Sequence, residues 1–232
     1  MKFSANRFLL HTIHTKGLVS INVESFAGDV NITADKACLG TSVSVVKETK
    51  QGTFLASINC NVFARNTEIG EEVVVQISTE KDELRYMRAN ISIITKSVDN
   101  VRIKTRSGNV TLLGVSGSLD VHTTDGDVLV ATTVPITDSV SIENHRGNIV
   151  FLAPEESTGT IDLSAIGGRT SLDILAGNAT VLPGSTKGHM MAIVNGGRNN
   201  IALRTVDGNA SFEILNNPMV PRSLWNFDWL SF

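Results

Sequence analysis

Three residues of this 232-residue chain are of the types that hydrolytic enzymes gather: Asp120, His122 and Glu143. Two carboxylates beside an imidazole can donate and withdraw a proton at a glycosidic oxygen. For that, positions 120 and 122 must share one outward strand face, with 143 on the adjacent strand. The same arrangement has a plainer use. It sets Arg102 beside Asp120, and Lys104, His122 and Glu143 in succession, and opposite charges on neighbouring strands stabilise a sheet without any chemistry. The plainer reading is adopted, with a carbohydrate-binding or carbohydrate-active face as the alternative.

Other chemistry finds less support. His11 and His14 have the spacing of a helical metal pair, but no carboxylate or cysteine stands nearby in sequence to complete a site. Cys38 and Cys60, 22 residues apart, match no zinc or redox motif. They read as two buried reduced thiols, or as one disulfide. The chain has no calcium-binding nonapeptide, phosphate loop, nucleophile elbow or convincing dinucleotide fingerprint. No catalytic residue, metal or cofactor is assigned. A net charge of −3 gives no electrostatic footprint for nucleic acid. The one early apolar run, Phe8-Leu9-Leu10, is too short for a signal-peptide core, and no stretch approaches the ~20 apolar residues of a spanning helix. The expectation is a cytoplasmic chain as written, or an envelope or surface protein if a leader has been removed.

The elements that must position these residues announce themselves by repetition. "VRIKTRSGNVTL" from Val101 is followed by "LDVHTTDGDVLV" from Leu119. Aligned on the glycine, copies sit at Gly28, Gly108, Gly126, Gly147, Gly168 and Gly208, separated by 80, 18, 21, 21 and 40 residues. Seven before the glycine stand Ile21, Val101, Leu119, Val140, Ile161 and Ile201; five before stand Val23, Ile103, Val121, Ile142, Leu163 and Leu203. The residue three before is small or polar in every copy, and the residue four after is apolar in every copy.

A period of two within a copy is a strand with one buried face. A period of about 20 between copies is a recurring supersecondary unit that can bury that face only by stacking on its neighbours. The glycine is expected to supply a positive-φ corner, with Asp or Asn after it favouring the tight bend. An antiparallel meander of Asp-Gly hairpins is the rival. The near-complete match of "LSAIGGRTSLDIL" with "LRTVDGNASFEIL", 40 residues on, favours the parallel arrangement.

The expected fold is therefore all-β: a right-handed parallel β-solenoid of ~20-residue rungs. Ile103, Val121, Ile142 and Leu163 should line up as neighbours inside it. The chain is expected to be one domain, with an N-terminal cap over 1–18 and irregular rungs with an insertion over 34–100. Regular rungs follow over 101–216, and an aromatic segment caps the end over 217–232. The charged stretch "TEKDELRYMRAN" is expected as a short helix or solvated loop.

The repeated "IKTRSGNVTL", "HTTDGDVLV" and "LRTVDGNASFEI", with the late "NGGRNNIAL", resemble the bacterial putative-adhesin β-strand-repeat domains of unknown function and are similar to the head GIN domain. The resemblance covers roughly residues 17 to 215. It implies a right-handed β-solenoid with cell-surface or envelope associations and no catalytic residues.

Two features exceed what a plain solenoid requires. Leu113, Leu129 with Ala131, and Val150 with Leu152 fall on the outward side of successive rungs. Such an apolar column calls for something packed against it, either the chain's own insertion or tail or another subunit. Trp225, Phe227 and Trp229 alternate near the C-terminus and are expected as an end cap or as a docking segment. The function these observations point to is a non-enzymatic, adhesin-like or structural stack that associates with itself or with a protein or cell-surface partner.

Overall fold

The computed structural model describes residues 3, 5–15, 17–68, 70–80 and 84–219. In chain order the strands are β1 (Ala5–Ile13), β2 (Val19–Ser25), β3 (Val30–Ala34), β4 (Thr41–Thr49), β5 (Ile58–Asn66) and β6 (Glu71–Thr79). Next come β7 (Met87–Thr95), β8 (Val98–Thr105), β9 (Val110–Leu113), β10 (Ser118–Asp125), β11 (Val128–Ala131), β12 (Val140–Arg146) and β13 (Ile149–Pro154). The last are β14 (Gly159–Ala165), β15 (Thr170–Ile174), β16 (Ala179–Val181), β17 (His189–Val194), β18 (Asn200–Asp207) and β19 (Ala210–Leu215).

They form two mixed sheets. Sheet A runs β1-β4-β7-β3-β9-β11-β13-β19-β15, and sheet B runs β16-β17-β14-β18-β12-β10-β8-β2-β6-β5. Each repeat copy spends its first strand in sheet B and, past the glycine, its second in sheet A. The glycine thus marks a corner between layers, and the hairpin rival fails for the repeat copies. Stacked in space, the parallel rungs are β6/β7, β2/β3, β8/β9, β10/β11, β12/β13, β18/β19 and β14/β15. Antiparallel strands close the ends: β4, β1 and β5 at one, β17 and β16 at the other.

The side-chain columns stand as expected, but their order does not. Ile103 pairs with Val121 and Val121 with Ile142, after which Ile142 pairs with Leu203, and Leu203 with Leu163. Leu163 is therefore not beside Ile142, because β18/β19 lies between them. The chain overshoots by one position after β13, builds β14 to β17, and returns to fill the gap. The other end mirrors this: β2/β3 is laid first and later flanked by β6/β7 on one side and β8/β9 on the other. The 40- and 80-residue separations are the traces of these two excursions. A strict run of consecutive parallel coils is thus replaced by a stack whose chain order and spatial order differ. Residues 34–100 supply antiparallel β4 and β5 and the rung β6/β7, and the described part of the charged stretch holds a short 3-10 turn, Leu84–Tyr86, and the start of β7.

One apolar core fills the space between the layers, from Val45 and Ile58 at one end to Leu163 and Ile214 near the other. Both column positions before the glycine are buried in all six copies, and the small residue three before it is buried too: Ser25, Thr105, Thr123, Asn144, Ala165 and Thr205. Four residues past the glycine, Phe151 and Phe212 stack in register, with ring centroids 5.4 Å apart. Each buried aliphatic removes apolar surface from water at a gain of about 2 kcal/mol. That gain needs a neighbour above and below, so a rung is stable only within the stack.

The corner glycines are required by the stacking. A Cβ on Gly126 (φ 122°) would stand 2.2 Å from the Gly108 carbonyl oxygen. Gly168 departs from the expected positive φ, since it is absent from the left-handed positions; a Cβ there would nevertheless lie 1.8 Å from the Gly208 oxygen. Close backbone approach, common to both, is the deeper reason for glycine. Cys38 and Cys60 are both free thiols, each half-buried.

Candidate functional site

The outward face of sheet B carries the charges singled out in the sequence. Alternation along β8, β10, β12, β18 and β14 turns every second side chain to solvent, and the in-register ladders align these side chains across strands. Arg102 Nε lies 3.3 Å from Asp120 Oδ2. His122 sits between two carboxylates, with Nε2 2.9 Å from Asp120 Oδ1 and Nδ1 3.2 Å from Glu143 Oε2. The chain of contacts continues through Arg204, whose Nη1 is 3.7 Å from Glu143 Oε1 and whose Nη2 is 2.9 Å from Asp162 Oδ2. It ends at His189, with Nε2 3.0 Å from Asp162 Oδ1.

Asp120, His122 and Glu143 are thus brought together. The sequence reading missed Arg204, Asp162 and His189. Arg204 faces Glu143 only because β18 is inserted beside β12, and His189 arrives on the antiparallel β17. The signal for the first was present: a match at offset 40 better than any at offset 20 says that those two copies are neighbours, which frees the position beside β12 for one of them.

Chemically, the face is a line of ion pairs that neutralise one another. His122, Glu143 and Arg204 are about half exposed, so each pair is screened and contributes up to about 1 kcal/mol. Beside them a shallow cleft of about 390 Å³ is lined by His122, Glu143, His145, Ile166 and Arg204, among others. At the sheet corner Arg146 is gripped by Asp125, with Nη2 2.7 Å from Oδ2. Hydrogen bonding to Asp125, then its charge and that of Asp207, pushes the guanidinium above its ordinary range.

A second line of polar contacts escaped the sequence reading altogether. The Asp or Asn that follows five of the six corner glycines bonds to the next rung, beyond its own turn. Asp29 Oδ1 accepts from the Asn109 N–H (2.8 Å), Asn109 Oδ1 from Asp127 (2.9 Å), and Asp127 Oδ1 from Asn148 (2.7 Å). Asn148 Oδ1 accepts from the Asn209 N–H (3.0 Å), and Asn209 Oδ1 from the Arg169 N–H (3.0 Å). Each bond uses a side-chain oxygen at Cγ, which both residue types possess. The amides of Asn148 and Asn209 also donate back, to Asp127 Oδ1 and Asn148 Oδ1 (3.2 Å each), and no two Asp are neighbours along this column.

The outward apolar column lies on sheet A, across β9, β11 and β13, in register: Leu113 pairs with Ala131 and Ala131 with Leu152, while Leu129 pairs with Val150. Ala131, Val150 and Leu152 are buried and join Leu215 in a small second core, with Leu113 and Leu129 half-buried against it. Trp225, Phe227 and Trp229 lie outside the described residues.

His11 and His14 gain nothing from their spacing, because the segment is strand β1 and its exit rather than a helix. His11 is half-buried and His14 exposed. Among the described residues no group of three or more His, Cys, Asp or Glu is arranged to hold a metal. Among the same residues no helix is long and apolar enough to cross a membrane. Burial pushes the Cys60 thiol above its ordinary value, with Lys47 partly offsetting the effect.

With these features in view, the chain can be set beside known proteins. Residues 9–213 match the Toastrack DUF4097 family, to which the chain therefore belongs. Among solved structures, a putative cell adhesion protein from Clostridium sporogenes superposes with a TM-score of 0.62 at 11% identity, covering 91% of this chain and all of that one. It shows the fold alone. A putative adhesin from Bacteroides fragilis aligns over 90% of this chain and 97% of its own, at 12% identity and a TM-score of 0.33, too low to bear on the fold. No curated protein matches the chain by sequence.

Proposed function

We propose that this Toastrack chain is a non-enzymatic, adhesin-like stack that acts by association, presenting its surface to a protein or cell-surface partner or to copies of itself. The observation that carries this reading is that large apolar side chains remain in solvent at both ends of the stack. Phe8 is 61% exposed, Leu10 59% and Phe63 44% on the strands that end the two sheets on one side, and Val181 is 53% exposed on β16 and Leu175 58% just past β15 on the other. The ionisable residues best placed for chemistry, by contrast, are taken up in mutual ion pairs. The name of the Clostridium sporogenes neighbour, a putative cell adhesion protein, agrees with an association role. In the same reading the consecutive rungs from β8 to β13 coil right-handedly, the hand that parallel crossovers overwhelmingly adopt.

The test is retention. Labelled chain is presented to intact bacteria and to extracted envelope fractions, and its self-association is followed by sedimentation. Saturable retention displaced by unlabelled chain, or concentration-dependent assembly, supports the reading. A strict monomer at several hundred micromolar that is retained by neither surface removes it.

A second reading has one specific support, the cleft beside His122, Glu143 and Arg204. Three ionisable side chains and a shallow groove suit a carbohydrate hydroxyl array, with His122 and Glu143 as polar contacts in the cleft and Asp120 beside it, paired with His122. A glycan array and a polysaccharide-degradation screen test it. A response lost in the Asp120→Ala, Glu143→Ala double variant supports carbohydrate recognition, and a response unchanged by the double substitution ends it.

A further inference from the structure

We infer that two copies of this chain join through strand β1, edge to edge across a twofold axis at Leu9, so that sheet A runs continuously from one copy into the other. The inference rests on the association reading above and names one partner for it.

Strand β1 stands alone at its end of the stack. Beyond the last parallel rung, β6/β7, sheet B adds only β5, whereas sheet A adds β4 and then β1. Among the described residues sheet A therefore projects one strand past sheet B; the 3-10 segment Gly52–Ser57 packs against β1, but no strand of the other layer overhangs its outer backbone edge. The nine residues of β1 pair with β4 in unbroken register from Ala5–Thr49 to Ile13–Thr41. The pairing has no bulge, and the strand holds no proline or lysine. Of the devices by which edge strands are usually protected from pairing with another chain, it carries one, the charged Arg7 on the face shared with Leu9. The opposite end of the stack is blunter. Sheet B stops there at β16, three residues long and soon followed by Pro183, and sheet A stops at β15, five residues long.

The second copy is identified as the occupant by the sequence of the edge itself. A twofold axis sets the two β1 strands antiparallel, which continues the alternation already present in β7–β4 and β4–β1. With the axis at Leu9, residue numbers across the junction sum to 18. Phe8 then faces Leu10 of the second copy, Leu10 faces its Phe8, and Asn6 faces its Thr12. All four lie on the outward face and are exposed. That face is uncharged, so no like charges meet on it, and its two large apolar residues cover one another twice. On the inward face Leu9 and Ile13 pack against the core, so apolar residues of both copies adjoin there too. Arg7 on this face would lie opposite His11 of the second copy. Backbone pairing fixes the register, and the aromatic–aliphatic pairs reward it.

The experiment uses sedimentation of the full chain at low and high concentration, with circular dichroism and thermal melting to verify the fold of every variant. The unsubstituted chain should form a dimer. Phe8→Lys combined with Leu10→Lys sets lysines against lysines across the axis and should raise the dimer dissociation constant at least tenfold with the fold retained. Phe8→Glu combined with Leu10→Lys sets opposite charges across the same axis. It should recover most of the lost affinity, in a form that weakens as salt is raised. A dimer indifferent to the double lysine variant, or a charge-swapped variant no tighter than the double lysine one, overturns the twofold junction. A strict monomer that is still retained by envelope fractions overturns this inference and leaves the association reading standing.

Discussion

The middle of the stack and the end that carries β1 are built from the same kinds of residue but are held differently. From β8 to β13 every rung has a parallel neighbour on each side, two buried columns, a glycine corner and an Asp or Asn bridge to the next rung. At the β1 end the strands run antiparallel, and the strand faces turned to the core are only half-buried at Leu9, Ile13, Cys60 and Val62. There Gly52 has room for a methyl group, with only ordinary contact at 3.8 Å. The repeat is thus a device for the interior of a pile. Its strict features exist where one backbone lies directly on another, and they lapse where nothing is laid on top.

The sharpest way to break the comparison is at the glycines. Gly126→Ala should destabilise by about 3 kcal/mol or more, because the added carbon overlaps the Gly108 oxygen and the φ is unfavourable. Gly52→Ala should change stability by no more than about 1 kcal/mol. Urea melts of the two variants decide the matter, and equal losses would erase the distinction between middle and end. Next in size, Ile142→Ala should lose about 3 kcal/mol by emptying a fully buried column position, whereas Leu9→Ala at the half-buried end should lose about 1 kcal/mol. Asn148→Ala removes an acceptor from the inter-rung line and should cost about 1 to 2 kcal/mol, and Asn148→Asp should also destabilise, because it loses the Nδ2 donor and sets a second carboxylate beside Asp127. The smallest stability effect belongs to the charged face, where Arg204→Ala should cost less than about 1 kcal/mol and the loss should fade in high salt. At the end of the stack, the raised Cys60 thiol holds less thiolate near neutral pH. Its alkylation at pH 8 should be slower in the folded chain than in urea and should accelerate as pH rises.

Much of this was readable in the sequence, and the limit was of one kind. The aliphatic positions before each glycine, the small residue three before it and the apolar residue four after it all take their predicted inward places, because alternation and a repeat period are local properties. Asp120, His122 and Glu143 meet for the same reason, lying on the consecutive rungs β10 and β12. Arg204 and Asp162 were not placed, since their positions depend on which rung the chain skips, and a local period is silent about skipping. Leu215, which joins the outward column at Val150 and Leu152, lies on the same displaced strand, β19, so its place beside them could not be read either. The corner Asp and Asn residues were taken as turn formers. Their bonds to the next rung could not be read, because a turn bond and an inter-rung bond ask for the same side-chain oxygen.

The excursion that places β18 and β19 between strands made earlier has a consequence for how the molecule assembles. A chain made only as far as residue 199 would lack the rung that pairs with both β12/β13 and β14/β15, leaving a backbone edge of each without its ladder partner. Among the described strands, β18 and β19 are the ones that complete both flanking ladders. The last rung acts as a keystone: assembly cannot proceed by simple addition from one extremity to the other, and it locks only when the interior place is taken.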